Sequence, residues 1–130
     1  DHGAGQVAKA CNQVVAAVTI EAVAEALTFA RRSGVDPAKV RAALLGGFAG
    51  SKILEAHGQR MLDNDFKPGF KVKLHQKDLK IVMDDAHRLG LTLPCAALVA
   101  RHLNALVDAG DGDLDSAAIV KVIERMSGRS

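Results

Sequence analysis

Apolar residues crowd the stretch from Val14 to Ala30, broken only by Thr19, Glu21, Glu25 and Thr28, and neither Pro nor Gly interrupts Gln6 to Arg32. A run that is apolar on every face predicts one long, mostly buried helix. The two glutamates, and an apolar run somewhat short of the ~20 residues a bilayer requires, weigh against a membrane span. Ser33-Gly34 closes the helix, and Asp36-Pro37 supplies a cap and a first-turn proline for a second helix running to about Leu45. Residues 46–50 form a Gly-rich loop. Ser51 is placed to cap a third helix carrying Ile53, Leu54, Met61 and Leu62, with Gly58 as a weak point in its middle.

Asp63 to Phe70 contains Asn64, Pro68 and Gly69 and predicts a loop. Helical spacing then resumes from Lys71 to Leu89 through Leu74, Leu79, Val82 and Ala86, and Gly90 ends it. Pro94 opens a fifth helix with Leu98, Val99, Leu103 and Leu106 on its inner side. After a loop at Gly110 to Gly112, Asp115 caps a last helix whose core face is Ile119, Val120, Ile123 and Met126. Disorder is expected only in the tail from Ser127 to Ser130. The pattern predicts an all-α, six-helix bundle built around its long first helix, with residues 1–130 as one domain.

Composition sharpens this picture in three ways. Apolar residues make up 48% of 130 residues, enough for one core, and the scarcity of aromatics favours close-packed helices over a sheet. A net charge of +2 gives no reason to invoke nucleic acid or an anionic membrane. Cys11 and Cys95 lie in apolar helical segments without zinc-type spacing, so buried, reduced thiols and a cytoplasmic setting are expected. The chain starts at Asp1 with no initiator Met or leader pattern, which reads as the start of a fragment.

Two clusters offer chemistry. In the first, Gly3 and Gly5 precede a helix whose opening turns carry Lys9, with Asn12 and Gln13 three and four residues on and therefore on the same face. A lysine near a helix N-terminus has its cationic form disfavoured by the macrodipole, which suits a general acid, and the two amides can hold a substrate oxygen. By spacing alone, a solvated lysine beside two polar neighbours at a frayed helix start is the favoured reading. The second cluster is Lys71, Lys73, His75, Lys77, Asp78 and Lys80 at the start of the fourth helix. Such a run is ordinarily a solvated face. Lys77 and Asp78, about 100° apart on a helix, would address different neighbours. His2, His57, His75, His87 and His102 show no metal-ligand spacing, so no metal is expected.

The segment Gly3-Ala4-Gly5-Gln6-Val7-Ala8-Lys9-Ala10-Cys11-Asn12-Gln13, the loop Gly46-Gly47-Phe48-Ala49-Gly50-Ser51, and Phe66-Lys67-Pro68-Gly69-Phe70 followed by Leu74-His75-Gln76-Lys77-Asp78-Leu79 resemble the β-hydroxyacid dehydrogenases over nearly the whole chain. The resemblance implies the helical C-terminal domain of a two-domain oxidoreductase that moves a hydride between NAD or NADP and a short hydroxy acid or aldehyde acid. It places the catalytic lysine on Lys9, substrate-binding positions on Asn12, Gln13, Phe70 and Asp78, and a cofactor-contacting lysine on Lys77. It also implies that the dinucleotide is held mainly by an N-terminal domain absent from these residues, and that a second subunit covers part of the long helix. Gln13 departs from the second Asn of many members and is more like the tartronate semialdehyde reductases among them. A 3-hydroxyisobutyrate dehydrogenase of the same family, and a non-catalytic helical dimerisation module, are the competing readings.

Overall fold

The computed structural model describes residues 2–128. Six α-helices follow in order: α1 His2–Arg32, α2 Pro37–Leu45, α3 Lys52–Asp63, α4 Val72–Leu89, α5 Pro94–Asp108 and α6 Ile119–Met126, the last entered through a 3-10 turn at Ser116–Ala118. Among the described residues there is no strand, only an isolated antiparallel bridge between Lys71 and Asp115. α1 is the spine and is touched by the other five helices. Its buried stripe, Ala17, Ile20, Ala24 and Leu27, repeats at three- and four-residue intervals and packs with Leu54 and Met61 of α3, Leu79 of α4, Leu103 of α5 and Ile119 of α6.

The predicted caps form. Asp36 accepts from the Ala38 amide at 2.9 Å and Ser51 from the Leu54 amide at 2.9 Å, each satisfying an N–H that the helix leaves open. Gly90 ends α4 in the left-handed region at φ 71°.

Several expectations are corrected. α1 starts at His2, so Gly3 and Gly5 lie inside the helix. Lys9 thus stands two turns from the N-terminus, beyond the first turn in which the macrodipole acts strongly. The helix is not buried all round, for Val7, Val15 and Phe29 are 62%, 65% and 74% exposed. By length and hydropathy Gly3–Arg32 is sufficient for a membrane span. What marks it as a core helix is its packing, with Glu21 buried among the apolar contacts. Both cysteines are exposed: Cys11 lies on the uncovered part of α1 and Cys95 in the first turn of α5. Leu74 and Met126 face outward rather than into the core. Gly58 is buried, and a Cβ there would meet Arg41 Cδ at 3.3 Å. Its bare backbone admits the Arg41 side chain, which donates to the Leu54 and Glu55 carbonyls and ties α2 to α3. In the tail, Ser127 hydrogen-bonds to Ile123, and Arg32 donates to the carbonyls of Ser127 and Gly128. Arg129 and Ser130 lie outside the described residues.

Candidate functional site

The uncovered N-terminal half of α1 runs beside α4, and between them lies a groove of about 920 Å³. Lys9 and Gln13 line it from α1, Asp78 from α4. Apolar side chains make up most of its floor and walls, among them Val14, Val82 and Leu93, with Lys9, Asp78, Asp85 and Arg88 as its charged groups.

At one point the two helices are joined by polar atoms. Gln13 Nε2 donates to Asp78 Oδ2 at 2.7 Å, and Asn12 Nδ2 donates to Gln13 Oε1 at 3.0 Å. A carboxylate can only accept, so Asp78 turns the Gln13 amide nitrogen toward α4 and its oxygen toward Asn12. The Asn12 nitrogen carries a second N–H, and among the described residues no bond to the Asn12 oxygen is seen, so Asn12 can still donate to or accept from a ligand.

Beneath this link sits His75, 2% exposed, one turn before Asp78 on the inner face of α4. Its Nδ1 lies 3.0 Å from Ser116 Oγ and its Nε2 lies 3.4 Å from the Gln13 carbonyl oxygen. Burial is the main cause that holds its pKa below the ordinary imidazole value. Phe70 meets the His75 ring edge to face, centroids 5.1 Å apart. The loop carrying Phe70 is fixed by buried Asp115, whose Oδ1 accepts from the amides of Gly69 and Phe70 at 3.1 and 2.9 Å while its Oδ2 caps Ala117.

Of the positions singled out in the sequence, Lys9, Gln13 and Asp78 come together at the groove, and Asn12 joins them through Gln13. Phe70 stands apart from the groove lining, behind His75. Lys77 is exposed and does not line the groove. Among the described residues no ion pair engages it, whereas Lys71 and Lys73 pair with Asp113, and Lys80 with Asp84. His75, Ser116 and the second role of Asp115 were missed. The sign was available for His75, which falls on the core stripe Val72-His75-Leu79-Val82-Ala86, an unusual place for an imidazole without a partner. No group of three or more potential metal ligands occurs among the described residues.

Comparison with known proteins identifies the family. The family described as NAD-binding of NADP-dependent 3-hydroxyisobutyrate dehydrogenase matches residues 3–123. The 2-hydroxy-3-oxopropionate reductase of Escherichia coli K12 is 48% identical over 97% of this chain and 43% of its own length. A probable 3-hydroxyisobutyrate dehydrogenase-like protein of Arabidopsis thaliana is 39% identical over 96% of this chain and 37% of its own. Among solved structures, a 3-hydroxyisobutyrate dehydrogenase from Salmonella typhimurium superposes with TM-score 0.85 at 30% identity, covering 89% of this chain and 41% of that one. The Mycobacterium tuberculosis 3-hydroxyisobutyrate dehydrogenase, solved with L-serine, gives 0.84 at 32%, covering 93% and 44%. The chain therefore spans less than half the length of these relatives. With its family pattern and its helical fold in agreement, the chain belongs to the 3-hydroxyisobutyrate dehydrogenase family of nicotinamide-dependent oxidoreductases.

Proposed function

We propose that this chain is the substrate-facing helical domain of a reductase that converts a short aldehyde acid, tartronate semialdehyde, to the hydroxy acid glycerate, with Lys9 as general acid. The observation that carries the reading is the convergence of Lys9, Gln13 and Asp78 on one groove, the last two bonded at 2.7 Å. A reduced nicotinamide, when bound, supplies the hydride. As the carbonyl carbon gains that hydride, its oxygen gains negative charge and takes a proton from the Lys9 ammonium, giving the alcohol. Asn12 and Gln13 orient the oxygen so that proton and hydride arrive together. In the oxidative direction, neutral Lys9 takes the hydroxyl proton.

The groups present suit one edge of a nicotinamide site. Lys9 and Lys77 are exposed cations with no ion pair among the described residues, and Lys77 would contact the cofactor. Among the described residues no strand precedes a glycine-rich turn, and a separate dinucleotide-binding domain would hold most of NAD or NADP. The apolar side chains Val7, Val15, Ile81, Leu89 and Leu91, each more than half exposed, lie along the groove with two cations and two carboxylates. Those exposed apolar side chains leave surface that a second copy would cover beside the substrate site, and we assign a homodimer to that surface. We assign the cytoplasm as its compartment.

Identity to the 2-hydroxy-3-oxopropionate reductase of E. coli, at 48%, exceeds that to the 3-hydroxyisobutyrate dehydrogenase of Pseudomonas aeruginosa, at 32%, which favours the aldehyde acid as substrate. The test is Lys9→Ala in the two-domain enzyme. It should lower kcat by about 10²-fold or more while KM stays within a few-fold. A variant that turns over at near-normal rate removes Lys9 from the mechanism. The 130-residue chain alone should reduce no tartronate semialdehyde with either nicotinamide.

A further inference from the structure

We propose that His75 is a positioning residue: as its Nε2–H tautomer it holds the Gln13 backbone to α4 while Asp78 holds the Gln13 side chain, so that α4 sets the orientation of the Asn12–Gln13 amide pair. The catalytic consequence of this grip rests on the function proposed above, but the grip itself does not.

The proton order follows from counting donors. Ser116 Oγ stands 3.0 Å from His75 Nδ1 and 3.1 Å from the Phe70 carbonyl, and its one proton can serve only one of them. If it served Phe70, the neutral ring would carry its proton on Nδ1, and a bare Nε2 would face the Gln13 oxygen 3.4 Å away, two acceptors opposed in a buried place. If it serves Nδ1, Nε2–H donates to Gln13 and every group is satisfied. The Phe70 carbonyl loses nothing essential, because it already accepts the Ser116 amide at 3.0 Å. Burial, which disfavours the imidazolium, removes the doubly protonated alternative.

The grip has two ends three residues apart on one face of α4. Asp78 orients the Gln13 carboxamide, and His75 fixes the main chain from which that carboxamide springs. Behind the ring, Ser116 and Phe70 keep it from turning. Asn12, exposed and bonded through its amide nitrogen to Gln13, takes its direction from this assembly.

Two substitutions separate the ends of the ring. His75→Gln places an amide nitrogen near the Nε2 position and keeps the donor to Gln13, whereas His75→Asn reaches only Ser116. On the chain itself, long-range proton–nitrogen NMR of the ring between pH 6 and 8 should give the Nε2–H pattern, and an Nδ1–H pattern or an imidazolium overturns the proposal. The Gln13 side-chain amide should keep its wild-type shift and slow exchange in His75→Gln and lose both in His75→Asn. In the two-domain enzyme, His75→Asn should lower kcat for tartronate semialdehyde about tenfold with KM within about threefold, and His75→Gln should stay within about twofold in both. Equal loss in the two variants would make His75 a packing residue only. If the wild-type enzyme turns over no short aldehyde acid, the proposed function fails, and the NMR measurements still decide the role of His75.

Discussion

Glu21 Oε1 lies 2.8 Å from His102 Nδ1 inside the bundle, while among the described residues Glu21 Oε2 meets no hydrogen-bond donor. Burial dominates the electrostatics of this carboxyl and holds its pKa above the ordinary value despite the neighbouring imidazole. The folded protein therefore keeps a proton that the unfolded chain has already released, and across that window stability falls as pH rises. Glu21→Gln removes the decline. We expect it to match the wild type in acid and to exceed it at pH 8 by about 1 kcal/mol, roughly 4 °C in Tm. Thermal unfolding of both proteins across pH decides it, and a variant less stable at pH 8 overturns the assignment.

The histidines act in the opposite sense. Burial is the main cause holding both His57 and His75 below the ordinary imidazole value. Unfolded, these rings take protons as pH falls through about 6.5, while the folded protein takes them only at lower pH. Their contribution is complete above that range and is lost as pH falls toward the folded values. In a Glu21→Gln background, where the opposing slope is gone, Tm should fall steadily from pH 6.5 to 5. Replacing both histidines with Gln should flatten that limb, and an unchanged slope would point to other groups.

Asp115 ties together the loop at 67–71 and the entry to α6, accepting three backbone amides with Arg60 Nη1 4.0 Å away. Asp115→Ala leaves those donors unpaired beside a buried gap and should cost about 2–4 kcal/mol. Asp115→Asn, which keeps one accepting oxygen, should cost less. Urea unfolding gives both numbers, and equal, small losses would show that water replaces the carboxylate.

Gly50 and Gly46 border the same loop yet should respond differently to alanine. A Cβ on Gly50 would come within 2.8 Å of the Leu45 carbonyl oxygen and 3.1 Å of that of Gly47, whereas on Gly46 the nearest atom is 3.8 Å away. Backbone cannot swing aside as a side chain can. Gly50→Ala should therefore destabilise by about 1–3 kcal/mol and Gly46→Ala by much less. Similar values for the two would mean the loop relaxes freely.

The helices were readable because their signals are local. Apolar spacing marked each one, and Asp36, Ser51, Asp115 and Gly90 marked ends where an unpaired backbone group or a left-handed turn demands a particular residue. The pairing of Gln13 with Asp78 was not readable in the same way, because 65 residues separate them and only the packing of α1 on α4 brings them within 2.7 Å. Lys77 and Asp78 were expected to serve different neighbours, and Asp78 does turn to Gln13 while Lys77 faces outward. Exposure was misjudged for Cys11 and Cys95, since an apolar sequence states that a surface seeks cover but not whether this chain provides it.

Because α1 is clamped at Ala17, Ile20, Ala24 and Leu27 and is tied to α4 at Gln13, the turns before Gln13 behave as a lever whose fulcrum is that tie. Lys9 is four residues beyond Gln13, about 6 Å along the axis, so a tilt of about 10° at that tie carries it about 1 Å sideways. Misplacement on that scale is enough to slow a proton transfer about a hundredfold. A substitution at His75, which lies outside the groove lining, can therefore be felt as a loss of rate before it is felt as a loss of structure.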